Sequence, residues 1–337
     1  MSRRRRKRPS KHHGLLLIDK LKGESSFDII RSLRRSTQEP KMGHTGTLDP
    51  MATGLMIICV GEGTKLVPYL TADDKRYIGE ITFGVSTDTY DAEGEVLSTD
   101  SYERASQLTA GDLSEALLKL TGEIEQRPPA YSAIKVNGER LYEKARRGEA
   151  VEAPLRRVTL HALQLDSFIS GTSSEFPKAT LSVHCSKGTY IRSLALDLGK
   201  LVGLNAHLTQ LRRTSCGVFN IDQACLAEEV DEESISTHLR PLVDALPHWP
   251  LIELSSTQEV ALKHGQQIYF NEERRGPHSS PSRAINSTGR LIALIAPISN
   301  AEGLDSTPKT SQNESPLNQL NSTELVPYRV LRGFIYG

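Results

Sequence analysis

Cysteine is scarce in this sequence, and its spacing does not fit a metal or redox centre. The 337 residues contain four cysteines, Cys59, Cys185, Cys216 and Cys225, and no two of them form a Cys-x-x-Cys pair. Structural zinc sites and thiol redox motifs need closely spaced cysteines, whereas isolated ones are typical of reduced, buried thiols in a cytosolic protein. We therefore expect reduced thiols and no metal site.

Long hydrophobic runs and nucleotide-binding patterns are also missing. The apolar run after the N-terminal cations, Leu15 to Ile18, is too short for a signal-peptide core or a membrane span. The segment Gly61-Glu62-Gly63-Thr64-Lys65 is not a phosphate loop, because the Gly-Lys-Ser/Thr ending of a Walker motif is absent. We expect a cytoplasmic protein without a membrane segment and without a nucleotide cofactor.

The sequence has no excess of charge of either sign, but its charges are unevenly distributed. It contains 41 Lys and Arg and 41 Asp and Glu, so the formal net charge is zero. Cations fill positions 3–8 without interruption, and an acidic stretch occupies positions 228–233. Such a basic block either contacts nucleic-acid phosphates or is a disordered tail that aids solubility, and the composition leaves both possibilities open.

The strongest chemical signal is a glycine-rich loop at positions 43–54 that contains one carboxylate, Asp49. Its glycines allow positive φ angles, and Pro50 disfavours the helical conformation for the residue before it. The apolar run 55–60 predicts a buried strand immediately afterwards. Local chemistry allows two interpretations of Asp49: a presented nucleophile or general base, or an ordinary Asx-turn or helix cap.

The motif Gly43-His44-Thr45-Gly46-Thr47-Leu48-Asp49-Pro50 closely resembles the catalytic motif of the tRNA pseudouridine-55 synthase family, also called pseudouridine synthase II. In that family the aspartate is the nucleophile, and the resemblance places it on Asp49. The implied activity is isomerisation of uridine to pseudouridine at position 55 in the T-loop of tRNA. This reaction needs no redox change and no energy input, so no cofactor is expected. Attack at C1′ of the ribose and attack at C6 of the base both stay open.

Two further segments carry the resemblance. Lys75–Gly84 alternates as a strand, and Tyr77 within it resembles the family tyrosine that contacts the target base. The segment Lys187-Gly188-Thr189-Tyr190-Ile191-Arg192 resembles the family motif whose arginine pairs with the catalytic aspartate. An arginine in a first helical turn is disfavoured by the helix dipole, which also suggests a carboxylate partner. The acidic segment Thr87–Gly94 lacks the spacing of an EF-hand loop, and we interpret its aspartates as turn residues.

The resemblance also implies which residues bind the substrate. His44 would enter the space left by the flipped nucleotide, since the target base must leave its stack. Tyr77 would stack on the uracil, and its hydroxyl is a candidate for proton transfer. Tyr190 and Leu211 would form walls of the base pocket.

Two cations are implied to support the nucleophile. A partly buried aspartate tends towards the neutral form, and the guanidinium of Arg192 would keep Asp49 ionised. Lys20, in the Asp19-Lys20 pair that ends the first predicted strand, would either support the loop or bind phosphate.

A basic insertion is predicted at about 125–152. It combines an Asn-Gly turn with a helix expected over Glu139–Gly148, and Tyr131 and Tyr142 lie among its cations. The resemblance implies a flap that clamps the RNA stem-loop through phosphate contacts and base or sugar packing. Composition alone favours a solvated amphipathic helix instead.

The fold class expected from the resemblance is α+β, with a mixed, mainly antiparallel central sheet flanked by helices. The expected segments are a basic disordered arm (1–13), a catalytic domain (14–249) and a small β-rich, PUA-like RNA-binding domain (250–337). Within the last segment, polar stretches at about 272–287 and 300–324 predict mobile insertions.

The expected partner is the T-arm stem-loop of tRNA, bound by a monomer without guide RNA. One rival is a guide-RNA-dependent pseudouridine synthase, but those relatives lack the insertion at about 125–152. The other rival is an RNA-binding or tRNA-folding protein with secondary catalysis. The set of Asp49, Tyr77 and Arg192 argues against lost catalysis, because binding alone does not require that carboxylate.

Overall fold

The computed structural model describes residues 9–132, 134–136, 138–147, 149, 153–271, 281–298 and 325–336. Over this part of the chain the helices are α1 Ser26–Ser36, α2 Val67–Leu70, α3 Tyr102–Ala105, α4 Ala110–Leu120, α5 Leu141–Arg146, α6 Ile191–Val202, α7 Ile235–His238 and α8 Ser256–Lys263. None of the described helices is long and apolar enough to cross a membrane.

The strands over the same residues are β1 Gly14–Lys20, β2 Met42–His44, β3 Thr53–Val60, β4 Lys75–Phe83, β5 Val85–Thr87, β6 Val96–Thr99, β7 Gly122–Gln126, β8 Lys135–Val136, β9 Glu139–Arg140, β10 Arg156–Ile169, β11 Lys178–Cys185, β12 Ala206–Cys216, β13 Phe219–Asn220, β14 Leu251–Glu253, β15 Ile268–Asn271, β16 Ser282–Ile285, β17 Leu291–Pro297 and β18 Leu325–Gly333.

The largest sheet is mixed and mainly antiparallel. Its main path is β1-β3-β12-β4-β11-β10-β7, with β2 on β3 and β13 on β12. The ladders from β12 through β4, β11 and β10 to β7 are antiparallel, and β3 runs parallel to β12. Helices such as α4 and α6 occur between these strands in the sequence. A mixed sheet combined with such helices confirms the expected α+β class.

Helix α1 begins at a capping box. Ser25 accepts a hydrogen bond from the Asp28 amide, and the Asp28 carboxylate accepts one from the Ser25 amide. This reciprocal pair satisfies two amides that the first turn leaves free. Ile30 and Leu33 of this helix are buried, whereas Phe27 is 57% exposed, with the Arg31 guanidinium over its ring.

The insertion contains a short hairpin, β8–β9, followed by α5. The helix begins at Leu141 rather than at Glu139, because Glu139 and Arg140 pair with β8 instead. Leu141 packs with Ile134 and Ala153 in a small apolar cluster. Positions 133, 137, 148 and 150–152 of the predicted insertion lie outside the described residues.

The chain divides into two compact units, one of which is Leu16–Ile58 with Val67–His238. The other is Met1–Leu15, Cys59–Leu66 and Leu239–Gly337. The second unit therefore includes residues that precede the expected boundary at 250. One reason is Arg283, whose guanidinium donates hydrogen bonds to the carbonyls of Val243, Pro247 and Trp249.

The C-terminal part of that unit is a five-stranded sheet in the order β14-β16-β17-β18-β15. Ser282–Ile285 was expected within a mobile polar insertion, but it forms strand β16 between β14 and β17. Ala284 is fully buried there, because alternate residues of the strand face the core. Positions 272–280 and 299–324 lie outside the described residues, as do positions 1–8 of the basic arm.

Candidate active site

The loop that carries Asp49 is fixed by hydrogen bonds from two neighbouring segments. The Ser26 hydroxyl donates to the Leu48 carbonyl at 3.0 Å and accepts from the Leu48 amide at 2.8 Å. The Gly23 amide donates to the Pro50 carbonyl at 2.8 Å. The residues on both sides of the carboxylate are therefore held by backbone bonds, which fixes its position on a rigid support.

Lys20 lies beneath this loop and is fully buried. Its ammonium donates to the carbonyls of Ala52 at 2.6 Å, Pro50 at 3.2 Å and Leu21 at 2.9 Å. Burial lowers the pKa of this amine from its usual value. Three carbonyls occupy its three N–H donors and no part of it reaches solvent, an arrangement that favours support of the loop over binding of phosphate.

Asp49 forms an ion pair with Arg192. Arg192 Nη2 donates to Asp49 Oδ1 at 3.1 Å, and Nε lies 2.9 Å from Oδ2 without hydrogen-bond alignment. The side chain of Arg192 is 5% exposed and that of Asp49 is 33% exposed. The guanidinium is thus hidden while the carboxylate stays open to an incoming group.

The same guanidinium contacts two other segments. Nη1 donates to the Thr89 carbonyl at 3.1 Å, and Nη2 donates to the Tyr131 carbonyl at 2.9 Å. Nη1 also lies 3.4 Å from Oδ2 of Asp91. Arg192 therefore joins the Asp49 loop, the turn before β6 and the start of the insertion.

Asp91 is a site residue that sequence analysis missed, although it is also the turn residue that was predicted. Its Oδ1 accepts hydrogen bonds from the Thr89 hydroxyl and the Glu93 amide, as in an Asx-turn. Its Oδ2 faces Arg192, and its side chain is 5% exposed. The neighbouring Tyr90 has φ of 63°, a left-handed conformation that is uncommon for tyrosine.

The pKa of Asp49 is raised above its usual value, chiefly because burial disfavours the charged form. Arg192 and Lys20 lower this pKa, and Asp91 raises it. Arg192 therefore favours the ionised form of Asp49 against the effect of burial, and the same guanidinium also faces Asp91.

Tyr77 on β4 lies opposite Arg213 on β12. Burial raises the pKa of the Tyr77 phenol to about 12, against the lowering effect of Arg213, so the hydroxyl is neutral at pH 7. Arg213 is buried and donates to the Leu55 carbonyl at 2.6 Å and to the Gly46 carbonyl at 3.2 Å. It was not predicted as a site residue, and it links the tyrosine strand to the catalytic loop.

Leu211 is buried directly opposite Gly79, two residues beyond Tyr77 on the same face of β4. A Cβ placed on Gly79 would lie 3.4 Å from Leu208, 3.6 Å from Ile191 and 3.6 Å from Leu211. The backbone of Gly79 has no positive φ that would require glycine. What the missing side chain provides is space beside the tyrosine, bounded by three aliphatic side chains.

His44 and Tyr190 are the other two predicted substrate-binding residues. His44 ends β2, and its pKa is lowered by burial and by the nearby Arg213, so the imidazole is neutral at pH 7. Tyr190 is the N-cap residue of α6, and its amide and carbonyl both bond the side chain of Gln126, at 2.8 and 3.1 Å. Its ring packs against the apolar cluster of the insertion, and burial raises its pKa.

The predicted residues thus fall into two neighbouring groups. Arg192, Lys20 and Tyr190 act electrostatically with Asp49, and His44 and Tyr77 share Arg213 as a neighbour. Leu211 lies two residues from Arg213 on β12. A shielded cation beside an accessible carboxylate suits nucleophilic catalysis, because the charged form is the reactive one.

Comparisons with known proteins give a consistent picture. Residues 34–191 match the TruB family pseudouridylate synthase (N terminal domain), and residues 192–246 match the tRNA pseudouridylate synthase B C-terminal domain. A tRNA pseudouridine synthase B of Pseudomonas aeruginosa (strain UCBPP-PA14) is 41% identical over 288 residues, which cover 83% of this chain and 90% of that protein. Another, of Shouchella clausii (strain KSM-K16), is 43% identical over 255 residues, 75% of this chain and 83% of that protein.

Solved structures share the fold at lower identity. A chain of a Cbf5-Nop10-Gar1 complex superposes with a TM-score of 0.62 at 22% identity, covering 83% of this chain and 77% of that one. A chain of an H/ACA RNP bound to a substrate RNA containing 2′-deoxyuridine gives 0.64 at 18% identity, covering 96% and 85%. Since both curated relatives exceed 40% identity over most of their own length, the chain belongs to the TruB family of pseudouridylate synthases and is an isomerase.

Proposed function

We propose that this enzyme converts uridine 55 in the T-loop of tRNA to pseudouridine, with Asp49 as the nucleophile. The observation that carries the proposal is the accessible Asp49 carboxylate held against the shielded guanidinium of Arg192. The substrate class is supported by relatives that are named tRNA pseudouridine synthase B.

The chemistry accounts for the need for such a pair. The N-glycosidic bond of uridine breaks, the uracil turns, and a carbon–carbon bond forms from C5 to the ribose, with loss of the hydrogen at C5. A carboxylate can form a transient covalent bond with the substrate and then leave again, which divides one difficult step into two. It must be ionised to do so, and Arg192 and Lys20 both favour the ionised form of Asp49.

We assign the substrate-binding side chains from the family resemblance, and their positions support these roles. Tyr77 stacks on the uracil, and the space left by Gly79 beside it receives part of the base, with Leu211 as a wall. The neutral Tyr77 hydroxyl holds a proton that it can give up and take back during rearrangement. His44 enters the gap in the RNA stack, and Tyr190 closes the site on the side of the insertion.

The insertion supplies the contact surface for the T-arm. It begins next to the catalytic guanidinium, since the Tyr131 carbonyl accepts from Arg192. Part of its charge is internally compensated, because Arg147 pairs with both Glu139 and Glu149. We assign to it shape recognition of the stem-loop together with phosphate contacts, by a monomeric protein acting without guide RNA.

The experiment that tests this function compares wild-type protein with Asp49→Asn on a bare tRNA transcript that contains a single candidate uridine. Pseudouridine is mapped at each position, and binding is measured separately. The variant should fold, because Arg192 keeps Asp91 and two carbonyls as partners. We expect stoichiometric modification by wild-type protein, no product with Asp49→Asn and similar tRNA affinity for both.

Two results would contradict the proposal. Product formation by Asp49→Asn would remove Asp49 as the nucleophile. Modification that appears only after a guide RNA is added would instead place the enzyme with the guide-dependent pseudouridine synthases.

A further inference from the structure

Three side chains that could bind a metal ion converge at one point, and none of them belongs to the residues assigned to catalysis. Nε2 of His161 lies 3.1 Å from Oδ2 of Asp74, and Nε2 of His184 lies 3.8 Å from the same oxygen. One ligand atom from each of the three residues falls within 4.8 Å of the others. The two imidazole rings have their centroids 4.7 Å apart.

Three adjacent strands bring these residues together. Asp74 immediately precedes β4, and His184 on β11 pairs with Arg76 on β4. His184 also pairs with Ala162 on β10, and the β10–β11 ladder is irregular between Leu160 and Ala162. His161 is the extra residue at that irregularity, and a bulge of this kind redirects a side chain. The three residues are far apart in sequence, so no sequence motif predicts that they form a cluster.

The arrangement is unusual for a simple hydrogen bond or ion pair. Two imidazoles approach a single carboxylate oxygen, and two protonated rings at this separation would repel each other. Neutral imidazole nitrogens together with a carboxylate oxygen are preferred ligands of Zn²⁺.

The distances also suit a single ion. Zinc bonds of about 2.0–2.1 Å in a tetrahedron place ligand atoms about 3.3 Å apart. The two observed contacts, 3.1 and 3.8 Å, bracket that value. The side chains of Asp74, His161 and His184 are 46%, 36% and 25% exposed, so small rotamer changes are possible and solvent can reach the ion.

We propose that Asp74, His161 and His184 form a Zn²⁺ site in which water completes the coordination. The ion would fasten the beginning of β4, which carries Tyr77, to β11 and to β10, the strand that follows the insertion. Its role is to stabilise this part of the sheet, and it takes no part in the isomerisation.

The test begins with protein treated with a chelator and dialysed, which is then titrated with Zn²⁺ by isothermal calorimetry. We expect one ion per chain, bound with micromolar or tighter affinity. His161→Gln and His184→Gln should each weaken this binding by at least about tenfold, since loss of even an outer-shell partner costs 10- to 100-fold. His264→Gln, at an exposed histidine after α8, is the matched control and should bind like wild type.

A second measurement separates specific from surface binding. Zn²⁺ should raise the thermal unfolding midpoint of wild-type protein and of His264→Gln but not of His161→Gln or His184→Gln, because only ions bound to the folded state stabilise it. Because the three side chains are partly exposed, the variants should fold, which their midpoints without metal will verify. Absence of binding, or equal binding and equal stabilisation in wild type and the site variants, would overturn the proposal and leave a hydrogen-bonded His–Asp cluster.

Discussion

Replacement of Lys20 by methionine separates two roles that this residue could have. Methionine nearly matches the shape of the lysine stem but removes the ammonium that bonds the carbonyls of Leu21, Pro50 and Ala52. The Pro50 carbonyl keeps the Gly23 amide as a donor, and Leu21 is exposed, so water can replace the lost donor at its carbonyl. The Ala52 carbonyl has no such substitute, because both Lys20 and Ala52 are fully buried.

The expected loss in the free energy of unfolding follows from the buried Ala52 carbonyl and from the carbonyls of Leu21 and Pro50. An orphaned buried acceptor costs about 1–3 kcal/mol and each solvent-compensated bond costs less, so the free energy of unfolding should fall by about 2–4 kcal/mol. The substitution also removes the cost of burying the ammonium, which offsets part of this loss in the free energy of unfolding. Release of the Asp49 loop should also lower kcat by about 100-fold, the effect expected of a displacement near 1 Å.

The assay uses tRNA tritiated at C5 of uridine, since pseudouridine formation releases that hydrogen to water. Single-turnover rates, urea unfolding and tRNA affinity at several salt concentrations are measured for wild type, Lys20→Met and Lys22→Met. Lys22 is exposed two residues away and serves as the matched control. We expect Lys20→Met to lose rate and stability while tRNA affinity and its salt dependence stay unchanged.

The opposite pattern would refute the argument. A phosphate ligand, when removed, weakens binding for all sequences and reduces the salt slope by about one. If Lys20→Met behaved in this way and kept normal stability and kcat, the lysine would contact RNA and the loop would be held by other means.

Three further changes test the site around Asp49. Arg192→Lys should reduce the single-turnover rate by at least about 100-fold, because an ammonium cannot span Asp49 and Asp91 with a planar fork; a rate near wild type would mean that the guanidinium geometry is unimportant. In the folded protein the pKa of Asp49 is raised, partly by Asp91, so activity should rise with pH through that pKa. Asp91→Asn should therefore move the acidic limb of the pH–rate profile to lower pH, and a limb that stayed in place would contradict the coupling. Gly79→Ala should leave the unfolding free energy within about 0.5 kcal/mol and lower kcat/KM by about tenfold or more, because a methyl group would occupy the space beside Leu211; unchanged kcat/KM would show that the base does not use that space.

The pairing of Asp49 with Arg192 could be predicted because each residue stands in a continuous motif with a known chemical partner. Strand alternation placed Tyr77 on a defined face, but a tyrosine there is most often a core residue, and only the family resemblance suggested its role at the target base. Individual strands such as β3 followed from local apolar patterns, whereas the mixed central sheet was expected from the family resemblance. Each of these features depends on one or two continuous segments of the sequence.

Asp91, Arg213 and Gly79 were missed because their roles depend on contacts across the fold. The Asx-turn of Asp91 uses one carboxylate oxygen, and nothing local shows that the other faces Arg192. Arg213 and Gly79 acquire their positions from strand pairing with Tyr77 and Leu211, and register is set by the whole sheet. Positive φ at Tyr90 is the one local sign of a special turn, and it is visible only in the structure.

The Tyr131 carbonyl on Arg192 bears on how this enzyme could be adapted to other RNAs. A main-chain oxygen cannot be replaced by mutation, but it moves whenever the segment that carries it is shortened, lengthened or given a different bend. The hairpin β8–β9 lies beyond this root in the chain and can be exchanged, whereas Leu141 at the start of α5 packs in the cluster that touches Tyr190. The root at Tyr131 shares a hydrogen-bond donor with Asp49. Replacing the outer part of the insertion with another RNA-binding segment should therefore preserve activity only when the junctions lie beyond Tyr131. The Tyr131 carbonyl thus separates the part of the insertion that can be exchanged from the part that must be kept.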